Sequence, residues 1–118
     1  MPTTIVLQQA GPLPVSAKFQ LQLSQNPAVL VVYGSGFAQK QNVEIGCEIS
    51  LNGSDTTQAA TVFSNGVGTH RQFLPRALPV QDDTAAASAP VTFSVELTPF
   101  GTNTITDAND SFLVLLHH

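Results

Sequence analysis

Val43-Glu44-Ile45-Gly46-Cys47-Glu48-Ile49-Ser50-Leu51, followed at once by Asn52-Gly53, is the stretch on which the fold turns. Val43, Ile45, Cys47, Ile49 and Leu51 fall on one side of an extended chain, and Glu44, Gly46, Glu48 and Ser50 fall on the other. Successive side chains of a strand point to opposite faces, so this period of two describes a strand with one buried and one solvated face. Asn-Gly suits a two-residue hairpin turn, because both turn positions need a positive φ that these residues tolerate. The expected return strand runs from about residue 57 to residue 63.

The same alternation recurs on either side. Ala17, Phe19, Leu21 and Leu23 alternate with Lys18, Gln20 and Gln22, and Val91, Phe93, Val95 and Leu97 alternate with Thr92, Ser94 and Glu96. Helical periodicity over ten or more residues is absent. Gly11-Pro12-Leu13-Pro14, Asn26-Pro27, Gly34-Ser35-Gly36 and Asn65-Gly66-Val67-Gly68 punctuate the chain with turn chemistry. Pro75 and Pro79 confine residues 70–80 to an edge strand or an irregular crossing, since proline donates nothing to a ladder. Residues 81–89, polar and small, read as an exposed loop. About eight short strands at roughly ten-residue spacing predict an all-β, antiparallel, jelly-roll-like sandwich, and the 118 residues make one domain, 1–118.

Two segments break the pattern. Ala28–Tyr33 (AVLVVY) and Phe112–Leu116 (FLVLL) are apolar on both faces, whereas an antiparallel sandwich strand normally wets its outer face. The second face needs a cover, either a loop such as 81–89 or another subunit. Scarce charge favours the subunit. Only 10 % of residues are charged, 4 Lys+Arg against 8 Asp+Glu for a net charge of −4, where a globular domain carries about 25 %. The chain is therefore expected to form a homo-oligomer.

The same charge balance excludes partners. Lys18, Lys40, Arg71 and Arg76 are dispersed, so there is no basic patch for nucleic acid or for an anionic membrane surface. No apolar run approaches the ~20 residues of a membrane-spanning helix. The start, Met1-Pro2-Thr3-Thr4, lacks the basic and apolar regions of a signal peptide, which leads to the expectation of a cytoplasmic chain or one released without a visible signal. His117 and His118 are read as a possible tag remnant. The lone Cys47 lies on the apolar face of its strand between Glu44 and Glu48, a setting for a small core residue rather than a reactive thiolate.

The segment Asp107-Ala108-Asn109-Asp110-Ser111-Phe112-Leu113-Val114-Leu115-Leu116 resembles the last strand of TNF/C1q-like jelly rolls, in which a polar loop leads into a Ser-Phe-containing apolar strand near a trimer axis. The Tyr33-Gly34 strand end and the strand count fit the same likeness. What the resemblance implies is a trimer and, by analogy with small bacterial lectins of this type, sugar binding. The match spans about ten residues and the chain is shorter than is usual in that family, so no binding motif is carried over from it.

Chemistry-bearing residues are few. His70 is the only internal histidine, and no HxH, HExxH or CxxC spacing accompanies it. No nucleophile with a base stands out, so the chain is read as non-enzymatic. His70 and Arg71, following the turn that contains Asn65, offer planar polar groups able to bond sugar hydroxyls or a carboxylate. Tyr33 is the sole tyrosine and Trp is absent, which weakens ring stacking and leaves polar recognition by Asn, Gln, Ser and Thr or a site built at a subunit interface; Phe19, Phe63 and Phe93 are expected to point inward. His70, Arg71, Tyr33 and Asn65 are thus the candidate ligand-binding residues. Asp107, Asn109 and Asp110 form the densest set of oxygen ligands and could serve calcium, which takes six to eight oxygens. Asp and Asn are also ordinary turn residues, through bonds to their own backbone. The function expected is a non-catalytic binding module for glycans, with a virion, tail-fibre or appendage component as the alternative.

Overall fold

A computed structural model describes residues 2–22, 28–53, 58–80 and 90–118 of the chain. Among these there are ten strands and no helix: β1 (Thr3–Ala10), β2 (Val15–Leu21), β3 (Ala28–Tyr33), β4 (Ser35–Gly36), β5 (Val43–Leu51), β6 (Ala59–Ser64), β7 (Arg71–Gln72), β8 (Arg76–Val80), β9 (Val91–Pro99) and β10 (Ser111–His117). Eight of them build two antiparallel four-stranded sheets, ordered β1-β10-β3-β8 and β2-β9-β5-β6, while β4 and β7 pair separately. Apart from the paired β5 and β6, consecutive principal strands alternate between the two sheets in the wound order of a jelly roll. The expected fold class is therefore observed, with eight principal strands.

The core lies between the sheets and consists of the residues that the alternation selects. Ile45, Cys47 and Ile49 of β5 and Phe93, Val95 and Leu97 of β9 are fully buried. The register places Ile49 opposite Leu97, so inward side chains of neighbouring strands stack in rows across the sheet. Burial pushes the Cys47 thiol up to about 12, well away from the thiolate form. The second sheet contributes Leu30, Val32, Val114 and Phe112.

Three local expectations change. Asn52 and Gly53 do take positive φ, 57° and 71°, yet Glu48 faces Ala59, where a two-residue turn would set it opposite residue 57. Asn52 is also bonded to β9: its N–H donates to the Ser94 carbonyl, and its side-chain oxygen accepts from the Ser94 N–H. A shift of two, unlike a shift of one, does not exchange the two faces of the strand. Gly46, placed by alternation on the wet face, is buried, since the 100–104 loop covers it through a bond from its N–H to Thr104 Oγ1. Phe63 is 60 % exposed rather than inward; it pairs with Glu44 on the outer side of the sheet. The 81–89 loop and Leu23 lie outside the described residues.

Pro79 sits in β8, the edge strand of its sheet, opposite Val29, as the missing donor requires. The two-sided apolar strands β3 and β10 are the central pair of that sheet. Their inner residues are buried, and Val29, Val31, Tyr33, Leu113 and Leu115 on the outer side are half-buried. The register lines these up as Thr3–His117–Val29–Pro79, Ile5–Leu115–Val31–Ala77 and Gln8–Leu113–Tyr33. None of these is Asp, Glu, Lys or Arg. The outer face of the other sheet carries Lys18, Glu44, Glu48 and Glu96 and is solvated in the ordinary way.

Candidate functional site

Where β3 leaves its sheet, the chain turns through Gly34 into β4. Glycine is required there: a Cβ on Gly34 would lie 2.7 Å from the Phe112 ring and 3.2 Å from that of Phe73, so only a bare backbone can pass over these two buried rings. The exposed side of this crossing is a cleft of about 360 Å³ lined by Tyr33, Gly34, Ser35, Gln72, Ser111 and Leu113. Pairing of Ser35 with Gln72 and of Leu113 with Tyr33 sets the positions of its walls. Its volume falls near the lower end of the ~300–1,000 Å³ typical of small-molecule sites.

Behind Ser35 stands Asp110, a carboxylate that is only 1 % exposed. Its Oδ1 accepts from Ser35 Oγ at 2.8 Å and from His70 Nδ1 at 2.7 Å, and its Oδ2 accepts from the Asp107 N–H at 2.9 Å. Its carbonyl accepts from the Gly11 N–H at 2.8 Å. A buried carboxylate is tolerated when its lone pairs are met in this way. Asp110 thus ties the start of β10 to β4 and the segment before β7 through its side chain and to the end of β1 through its carbonyl. The Asn109 N–H donates to Asp107 Oδ1 at 2.8 Å, the side-chain-to-backbone bond of an Asx turn.

His70 belongs to this cluster. Its ring lies 4.5 Å from that of Phe37, and Nε2 lies 3.7 Å from Asp107 Oδ2. The hydrogen bond to Asp110, together with the charges of Asp110 and Asp107, raises its pKa above the ordinary 6.5 against a smaller opposing effect of desolvation. Stabilisation from a raised pKa is complete below the unfolded value and is lost as pH rises through the folded one. In a proton-observed NMR titration the His70 midpoint should therefore lie above 6.5 and fall toward it in Asp110→Asn; a midpoint unmoved by that substitution would exclude the carboxylate as the cause.

Tyr33 is the one sequence-selected binding residue that lines the cleft. Arg71 and Asn65 are joined to each other, Nη2 to Oδ1 at 2.9 Å, whereas the adjacent His70 engages Asp110. Of the oxygen-ligand set, Asp107 and Asp110 meet His70 with ligand atoms within 4.8 Å of one another, and Asn109 is exposed. Three of the roughly four lone-pair sites of the Asp110 carboxylate are already taken by protein donors. Ser35, Gln72, Ser111 and Leu113 were not marked as site residues by the sequence. The only local signal near them is the Gly34-Ser35-Gly36 break. Comparison with protein-family models, curated proteins and solved structures finds no significant match to this chain.

Proposed function

We propose that this chain is a non-catalytic carbohydrate-binding module that assembles with copies of itself. The cleft at Tyr33 carries the reading. It combines an aromatic ring and Leu113 with the hydroxyls of Ser35 and Ser111 and the amide of Gln72, an apolar surface with a few convergent polar groups. A pyranose presents the matching surface, apolar C–H patches edged by hydroxyls. A glycan array with labelled protein tests this: reproducible binding that is lost in Tyr33→Ala supports it, and silence, or binding indifferent to Tyr33→Ala, overturns it.

Self-assembly rests on the contrast between the two outer faces. The β1-β10-β3-β8 face bears no Asp, Glu, Lys or Arg along its three register rows, so a second copy can meet it without stranding a charge. Ile5 on the edge strand β1, 60 % exposed and in one row with Leu115 and Val31, extends the patch to the rim of the sheet. A closed symmetric oligomer covers such a patch without producing an open fibre, and a trimer is the order that the jelly-roll likeness implies. Leu115→Asp should convert the wild-type oligomer to monomer in light scattering at micromolar concentration. A wild type that is already monomeric would overturn the assembly. The same face suits a structural component of a larger particle, the reading favoured if the array is silent and the scattering shows large assemblies.

A further inference from the structure

The cleft has a polarity of its own, set from behind by Asp110. An ionised carboxylate only accepts hydrogen bonds, and a serine hydroxyl has a single proton to give. That proton is committed to Asp110 Oδ1 at 2.8 Å. Ser35 Oγ therefore turns only lone pairs toward the cleft, one of them approached by the Ser111 N–H at 3.4 Å. The commitment does not depend on the protonation of His70, which donates to the same oxygen through Nδ1. No lining residue is cationic, and the guanidinium of the neighbouring Arg71 is bonded to Asn65.

Building on the carbohydrate reading, we propose that the cleft selects neutral, hydroxyl-bearing sugars and excludes acidic ones, with Asp110 acting as a positioning residue through Ser35. A sugar hydroxyl brings the proton that Ser35 Oγ lacks. At Ser35 a carboxylate or sulfate oxygen brings none and has to turn to the Ser111 hydroxyl or the Gln72 amide, and it adds negative charge in front of a buried, poorly screened carboxylate. Pairing two acceptors leaves both unsatisfied, the situation in which a polar site discriminates most strongly.

Calorimetric titration with the methyl glycosides of glucose, galactose and mannose, each against its uronic acid, tests the idea. The best-bound neutral sugar should exceed its uronic acid by about tenfold or more in affinity, equivalent to about 1.4 kcal/mol. In Ser35→Ala, checked for folding by its melting temperature, the neutral sugar should weaken while the acid hardly changes, so the ratio collapses. In Asp110→Asn the Asp107 N–H holds the amide oxygen at the Oδ2 position, so the amide NH2 faces Ser35, which regains a proton for the cleft, and the acid should gain. If Asp110→Asn does not fold, Ser35→Ala decides alone. Equal binding of neutral and acidic sugars, or a ratio unchanged in folded Ser35→Ala, overturns the selectivity and leaves the carbohydrate reading standing. Failure of folded wild type to bind any of the six overturns both.

Discussion

Replacing Phe112 by alanine should destabilise the protein by about 3–5 kcal/mol, the range for removing a buried aromatic side chain. Phe112 is 1 % exposed, and its ring lies directly beneath the Gly34 backbone, so close that a Cβ there would sit 2.7 Å from it. Part of the loss is transfer energy and part is the cavity that a close-packed interior refills incompletely. Against a total stability of about 5–15 kcal/mol, the change removes a large fraction. Urea unfolding is the measurement: the midpoint should fall with the slope unchanged, since the fold exposes the same surface. A loss below about 1 kcal/mol would mean that the ring is not part of the core. Because Phe112 also forms the floor under the cleft, glycan binding should weaken in any folded fraction. Exposed Phe63, on the outer side of the other sheet, should be nearly neutral on the same substitution.

Gly46→Ala should also be costly, about 1–3 kcal/mol or more through overpacking, although the residue added is the smallest available. A Cβ at Gly46 would fall inside contact distance of the Ala60 carbonyl oxygen and 2.9 Å from the Thr61 Cα, both in the backbone of β6. Backbone atoms cannot rotate aside. Nor can Gly46 retreat: its N–H donates to Thr104 Oγ1 and its carbonyl accepts from the Phe100 N–H, each at 3.0 Å. Two residues along, on the same face of β5, Glu48 is exposed, and Glu48→Ala should stay within about 0.5 kcal/mol. Alternation alone makes the two positions equivalent. Equal melting temperatures for the two variants would restore that equivalence and contradict the packing at Gly46.

What was legible in the sequence was what the chain encodes locally. The period of two in Val43–Leu51, and its recurrence at 17–21 and 91–97, needs only the geometry of an extended backbone and a buried side. It identified the all-β class, the inward set Ile45, Cys47, Ile49, Phe93, Val95 and Leu97, and the unusual two-sided character of β3 and β10. Turn chemistry at Asn52-Gly53 specified the backbone sign for the same reason, since φ > 0 is a property of the residues themselves. The bonds that tie Asn52 to Ser94 of β9, across 42 positions of chain, had no such local signal.

The cleft and its polar backing belong to the tertiary structure alone. His70 read as an exposed loop end and Asp110 as a turn residue. His70 stays exposed and Asp110 is buried; they meet because the wound order of strands brings together segments 40 positions apart, with Ser35 arriving from 75 positions away. No pattern in the sequence records such distances, because a hydrogen bond places no periodic demand on the residues between its partners. Hydrophobic burial does: it acts on whole strand faces and so writes itself into the spacing of side chains. Site chemistry uses single atoms, and only the folded chain brings them together.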